Sequence, residues 1–196
     1  MIEETPQWVK TIDSISGVFF SVGFALSRLK DFPLGQFSKM LAGSAVSSFA
    51  LANGLQTISS RFYHCDGDST FANIFTLASL VGTIASVGIL IHPQAWHIWI
   101  WLFVLNNALW YCAEYYRYHY PSTYPKLNYE ANSYLNYVQW LVIASISSSL
   151  SYTLCYCLPS LASPLFLIGL ATNYLATIIA FLQLTTLEDT HARKNI

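Results

Sequence analysis

An uncharged stretch of 45 residues, 69–113, reads STFANIFTLASLVGTIASVGILIHPQAWHIWIWLFVLNNALWYCA. Two apolar runs within it are separated by His92-Pro93-Gln94. A helix needs about 20 apolar residues to cross the hydrocarbon core of a bilayer, so this stretch is long enough for two crossings. Because three residues leave room only for a tight turn, we predict an antiparallel helical hairpin around Pro93.

The same pattern continues on both sides of this hairpin. Further charge-free runs cover 14–27, 40–60 and 131–187, and all seven prolines lie between apolar runs or at their edges. A missing amide hydrogen costs least at such places. Ser163-Pro164 has the residue types of a helix N-cap and first helical position. We therefore predict an all-α fold, with 1–196 as a single polytopic transmembrane helix bundle. Its six spans are predicted at 14–29, 40–60, 71–91, 95–116, 134–158 and 164–186.

The composition agrees with this class of protein. Apolar residues make up 54% of the chain and charged residues 10%, whereas soluble domains carry about 25% charged residues. The formal net charge of −1 gives no electrostatic basis for a nucleic-acid partner. We expect a multi-pass integral membrane protein whose partners are membrane lipids, together with other membrane proteins or further copies of itself.

The number of spans depends on the first candidate. Only 14 residues separate Asp13 from Arg28, which is short for a crossing but ordinary for a helix lying in the membrane interface. Six spans with both termini inside place six Lys and Arg residues inside and three outside, whereas five spans place four inside and five outside. The positive-inside rule favours six spans with both termini in the cytoplasm. Five spans plus an interfacial N-terminal helix is the alternative.

Small residues recur at every fourth position along several spans, which is the pattern of close helix packing in membranes. We expect this packing to be intramolecular, with association between copies as the alternative. Five serines between 145 and 151 are expected to bond to the preceding turn of their own helix. The stripes are Gly17/Ser21/Ala25, Ala50/Gly54, Ala78/Gly82/Ser86 and Thr172/Ala176/Ala180.

Polar residues gather towards the end of the fourth span, where residues 106–119 read NNALWYCAEYYRYH. Helical spacing places Asn107, Trp110 or Tyr111, and Glu114 on one face. An unpaired amide or carboxylate is costly in hydrocarbon, so these groups should face protein or water. The structural interpretation pairs Glu114 with Arg117 and bonds Asn106 and Asn107 across helices to Asn173 or Gln139.

The functional interpretation makes the same residues a polar pocket at the inner membrane face. The chain would then be a small membrane-embedded enzyme or a lipid-binding protein. A third hypothesis, a small-solute channel or carrier, requires a continuous polar path through the bundle. In the pocket, the candidate general acid/base residues are Glu114 and His119, and the candidate binding residues are Asn106, Asn107, Trp110, Arg117 and Asn173.

No motif in the sequence indicates a cofactor or a metal. Gly-rich phosphate loops, His-Glu-x-x-His and Gly-x-Ser-x-Gly are all missing from the sequence, as judged against their known patterns. The cluster His64-Cys65-Asp66-Gly67-Asp68 fits neither a zinc site nor a calcium loop, and Cys155-Tyr156-Cys157 lacks the spacing of a redox pair. We therefore expect no cofactor, and we favour a non-enzymatic interaction or assembly protein.

Overall fold

The regular structure of the described chain is entirely helical. A computed structural model describes residues 6–29, 36–62, 70–119, 128–162, 164–165, 167–172, 174–176, 178–179 and 182. The prediction of an all-α fold is confirmed for these ranges. The helices are α1 (Gln7–Leu29), α2 (Gln36–Ser60), α3 (Thr70–Ile91), α4 (Trp96–His119) and α5 (Asn128–Cys157), with single 3-10 turns at Pro93–Ala95 and Pro159–Leu161. The described residues that follow, from 162 to 182, are also helical.

Three of these helices are long and apolar enough to cross a membrane. They are Gln7–Ser27, Thr70–Ile91 and Leu135–Cys157. The 25 residues of α2 and the 24 of α4 give each a length of about 36 Å or more, but both contain more polar or interfacial side chains. In the sixth predicted span, the described apolar segment is Leu167–Ala176. The count of six crossings therefore stays a prediction.

The first helix begins well before the predicted span. It starts at Gln7, and the backbone N–H groups of Val9 and Lys10 donate to the Pro6 carbonyl over 3.0 and 3.3 Å. Lys10 and Asp13 thus lie inside the helix. The predicted span began after Asp13 because a charged residue ends an apolar run, but it does not end the helical backbone. With 23 residues, α1 is about 35 Å long, so length no longer argues against a crossing.

The chain forms two compact units, Met1–Leu109 and Trp110–Ile196. In the first unit α1 runs antiparallel to α2. The rings of Trp8 and Phe62 lie 4.8 Å apart at one end of the pair, and the Ser16 hydroxyl donates to the Ala52 carbonyl over 2.8 Å further along it. The prediction of one domain over 1–196 stays a prediction.

The hairpin predicted around Pro93 is confirmed. Near the turn Gly88 packs against the indole of Trp99, and further from the turn the Asn106 amide donates to the Ala78 carbonyl over 2.8 Å. The contacting residues lie further from the turn on both helices at the same time, so the two helices run antiparallel.

The second unit contains a hairpin of the same kind, formed by α5 and the helical residues after it. The Cys155 thiol donates to the Ala162 carbonyl over 3.2 Å, and the Ser151 hydroxyl donates to the Leu165 carbonyl over 2.5 Å. Gly169 lies directly against Ser151. Of the predicted capping pair, Pro164 is helical and Ser163 lies outside the described residues.

Both hairpins use one turn geometry. The residue before the proline has φ −130° and ψ 65° at His92, and φ −127° and ψ 70° at Leu158. Each proline then opens a single 3-10 turn, and its carbonyl accepts a hydrogen bond from the first residue of the next helix. Proline suits this position because its φ is already helical and its missing N–H has no helical partner to lose.

Side-chain size is distributed in the opposite way to that of a soluble protein. The buried face of α3 consists mainly of Ala, Gly and Ser, with two phenylalanines at its start. Five of its large aliphatic residues point outward and are 38% to 49% exposed, although such residues are usually among the most buried. The outward residues of α3 include Leu77, Leu80, Ile84, Val87 and Leu90.

The expected packing stripes are only partly correct. Ala78, Gly82 and Ser86 are buried as predicted. On α1 the prediction is wrong, since Gly17, Ser21 and Ala25 are all exposed. The buried positions of that helix are Val9, Ser16 and Gly23, seven residues apart, because successive residues turn by about 100° and Gly17 lies beside the contact face rather than on it.

The remaining small-residue stripes are also only partly buried. Ala50 and Gly54 are half-buried, and no atom lies within 4 Å of a Cβ built on Gly54. In the C-terminal helical residues Ala176 is buried and Thr172 is exposed, while Ala180 lies outside the described residues. Spacing by four therefore identified small residues without identifying which of them face a neighbouring helix.

The serines of α5 also divide into two kinds. Ser145 donates to the Val142 carbonyl of its own helix over 2.9 Å, as predicted. Ser151 instead donates to the next helix, so the expectation of purely local bonding is wrong for this residue.

Candidate functional site

The predicted site residues that the structure describes all lie on α4. Asn106 and Asn107 belong to the first unit, and Trp110, Glu114, Arg117 and His119 belong to the second. Asn173 lies outside the described residues.

Asn106 forms an interhelical hydrogen bond in the first unit. The residue is 7% exposed, and its Nδ2 donates to the Ala78 carbonyl of α3. A bond across helices was expected, but with Asn173 or Gln139 as acceptor. Gln139 is exposed and Asn107 is half-buried.

Gly82 of α3 lies between two buried amides. A Cβ built on Gly82 would be 2.5 Å from Oδ1 of Asn53 and 2.9 Å from Nδ2 of Asn106. Asn53 is 4% exposed, and its Nδ2 donates to the Phe49 carbonyl of its own helix over 2.9 Å. Three helices therefore meet at Asn53, Gly82 and Asn106, which we call the amide junction.

Asn53 is the residue that the sequence reasoning missed. It lies within the charge-free run 40–60, between Ala52 and Gly54. A polar group within a span must face protein or water, which predicts a buried position for Asn53 just as it does for Asn106.

Polar side chains continue from the amide junction towards one end of α2 and α3. The Ser60 and Thr76 hydroxyls are 2.8 Å apart, and Nη1 of Arg61 lies 3.5 Å from Oδ1 of Asn73. Ser79 is buried and donates to its own helix. Successive α3 members are three residues apart, so each is a neighbour of the next on the helix surface. We call this set the polar row: Arg61, Asn73, Ser60, Thr76, Ser79, Asn53 and Asn106.

The charged pair on α4 lies in the second unit. Nη2 of Arg117 is 2.5 Å from Oε2 of Glu114, and their side chains are 27% and 5% exposed. The predicted i,i+3 ion pair is therefore confirmed. Trp110, one turn before Glu114, is half-buried.

The structure does not bring His119 to Glu114. His119 is exposed, and its ring centroid lies 4.1 Å from that of Tyr115 and 5.0 Å from that of Tyr118. Five residues along a helix turn the side chain by about 140°. The two candidate acid/base residues thus occupy different faces of α4, one buried and one exposed.

Metal chemistry has no visible basis in the described ranges. Within them, no group of three or more His, Cys, Asp or Glu side chains could hold a metal ion. Cys112, Cys155 and Cys157 are free thiols. The cluster 64–68 lies outside the described residues.

Comparison with known proteins identifies no relative, since no family model matches the chain and neither a curated protein nor a solved structure is similar to it. The function must therefore be inferred from the residues themselves.

Proposed function

We propose that this chain is a multi-pass integral membrane protein that crosses the bilayer six times and acts by associating with other membrane proteins. The observation that carries the proposal is the distribution of side-chain size on α3, where mainly small residues are buried and large aliphatic residues are exposed. Exposing apolar surface to water costs about 25 cal/mol per Å², whereas hydrocarbon imposes no such cost. Close approach through small residues is how helices associate in lipid.

A similar distribution supports crossings by α2 and α4. Two strongly polar residues in the middle of these helices, Asn53 of α2 and Asn106 of α4, are buried. Outward positions carry apolar side chains such as Leu51, Ile58 and Leu105. The mean hydropathy of a whole helix includes its buried amides and hydroxyls. It therefore underestimates how apolar the outward surface of α2 or α4 is.

The proposed topology places both termini in the cytoplasm. It is supported by the Lys and Arg distribution, six inside against three outside, as the positive-inside rule requires. The length of α1 removes the main reason for placing that helix flat in the interface.

The interaction role is supported by the exposed stripe of α1. No atom lies within 4 Å of a Cβ built on Gly17, so another backbone can approach closely there. The Ser21 hydroxyl donates to the Gly17 carbonyl over 2.9 Å, so lipid contact leaves no unpaired proton on it. Gly17, Ser21 and Ala25 therefore form a flat face that this chain does not use for its own α1–α2 packing.

A photo-crosslinking amino acid at Ser21 tests the proposal in native membranes. We expect protein adducts from position 21 and, by native mass spectrometry in nanodiscs, a species heavier than one chain. The matched control is the same amino acid at Ile84, an outward residue of α3, which should give lipid adducts instead. A monomer alone, with no protein adduct at position 21, would contradict the interaction role.

A further inference from the structure

We propose that two copies of this chain associate through one face of α1, with Lys10 of each copy paired to Asp13 of the other. The face consists of Lys10, Asp13, Gly17, Ser21 and Ala25, and we call it the α1 face. This inference rests on the membrane location and the interaction role proposed above, and it names the partner as a second copy of the chain.

The small residues of the α1 face continue a row that begins at a carboxylate. Asp13, Gly17, Ser21 and Ala25 follow one another at intervals of four residues, so they lie along one ridge line of the helix. Gly17, Ser21 and Ala25 are exposed, and Asp13 is half-buried. Small residues at this spacing let two helices in a membrane cross at about −40° with their backbones close together.

Lys10 and Asp13 have no ionic partner in their own chain. In the part of the chain that the structure describes, neither side chain takes part in an ion pair, and Lys10 is exposed. Both residues lie just before the charge-free run 14–27, at the hydrocarbon boundary in the proposed topology. A charge at that depth is stabilised by an opposite charge nearby, because the surrounding dielectric is lower than that of bulk water.

Twofold symmetry makes the α1 face complementary to itself. Two copies that insert with the same topology and pair symmetrically are related by an axis along the membrane normal, so their α1 helices run parallel and equal depths meet. Viewed down the helix, Lys10 and Asp13 lie on opposite sides of Gly17, at about 20° and 40°. The rotation therefore places Lys10 of each copy opposite Asp13 of the other. The two levels differ by about 4.5 Å of helix rise, which the lysine side chain spans.

This complementarity favours a second copy over a different membrane protein. A helix of another protein would need an acid and a base of its own at matching positions, whereas the α1 face already carries both. A symmetric contact also places Gly17 on both sides of the interface, so neither backbone is kept away by a large side chain.

Disulfide crosslinking in membranes tests the proposal. The four native cysteines are replaced by alanine, and Ser21→Cys is introduced as a nearly isosteric probe on the α1 face. Val22→Cys is the matched control, because Val22 is 44% exposed at nearly the same depth but lies about 100° further round the helix. We expect an oxidant to convert Ser21→Cys into a disulfide-linked dimer and to leave Val22→Cys monomeric.

Charge reversal tests the pairing itself. In the Ser21→Cys background, Lys10→Glu leaves two acids on the α1 face and Asp13→Lys leaves two bases. Each variant alone should dimerise about tenfold more weakly, because two ion pairs are lost. Coexpressed with tags of different mass, the two variants should recover the crosslink as a mixed dimer, because every acid then faces a base. Recovery on mixing also shows that each variant is folded and correctly inserted.

Three results would count against the proposal. Equal crosslinking at Ser21→Cys and Val22→Cys, or mixed copies that crosslink no better than either variant alone, would overturn the paired α1 face. No disulfide-linked dimer, together with adducts to other proteins from the photo-crosslinking residue at position 21, would overturn the second copy as partner and leave the interaction role intact. The absence of both products would contradict the interaction role as well.

Discussion

Single residues set how closely three helices of the first unit approach one another. Gly82 is in contact with Asn53 of α2 and Asn106 of α4 at distances that leave no room for a methyl group. The amides are held in turn by helix carbonyls. Neither can therefore move aside without losing a hydrogen bond, and the fit at this position is sterically exact only for glycine.

Gly82→Ala should destabilise the protein by about 1–3 kcal/mol, since a well-packed contact would be overfilled. The measurement is unfolding by SDS in mixed micelles, followed by circular dichroism. Gly17→Ala is the matched control, and it should be neutral or stabilising by up to about 1 kcal/mol, because its Cβ meets no atom and alanine is the better helix former. Equal effects of the two substitutions would contradict the packing at Gly82.

Arg117→Met should cost about 3 kcal/mol of stability in the same assay, because it leaves the buried Glu114 carboxylate without its cation. The double variant Glu114→Gln/Arg117→Met removes both charges and should recover a large part of that loss. The single variant Glu114→Gln completes the cycle. If the effects of Glu114→Gln and Arg117→Met simply added up in the double variant, Glu114 and Arg117 would not be energetically coupled.

At the scale of helices, the sequence was informative about where helices lie and about the one tight hairpin, but not about which face of a helix packs. The hairpin at Pro93 could be predicted because three residues allow only one connection. The contact face of α1 could not, because lipid and a neighbouring helix are equally apolar and the exposed stripe at Gly17 resembles a buried one. An apolar run shows which residues can lie in hydrocarbon, and a helix can extend beyond it. The start of α1 at Gln7 was therefore not predicted.

Ser151→Ala should loosen the second hairpin by about 0.6 kcal/mol, the usual value of a hydrogen bond between helices in a membrane. Its hydroxyl bonds the following helix at Leu165. Ser145→Ala in the same helix is the control, because that hydroxyl bonds its own turn, and its effect should be close to zero. A larger loss at Ser145 than at Ser151 would argue against the interhelical bond.

For the whole molecule, the site was half predictable. Asn106 and the Glu114–Arg117 pair follow from the spacing of polar residues on one helix. Asn53 and its contact with Gly82 depend on which helices are adjacent, and that information comes from the folded chain. The exposure of His119 follows from its distance of five residues from Glu114, which places the two on different faces.

The six-span topology predicts that a reporter inserted after Lys30 lies on the opposite side of the membrane from the N-terminus. An engineered glycosylation acceptor or an impermeant thiol label at that point measures the side directly. A matched reporter at the N-terminus supplies the reference. If both reporters lay on one side, α1 would be interfacial and the chain would cross five times.

The two proline turns also bear on how the chain could be inserted as it is synthesised. A connection of so few residues is too short for one helix to be inserted in the bilayer while the next remains in water. If α3 and α4 cross as proposed, they must enter together. The strongly apolar α3 would then promote the insertion of α4, whose amides and carboxylate make insertion on its own unfavourable. The helices of this chain would be inserted in pairs rather than one at a time.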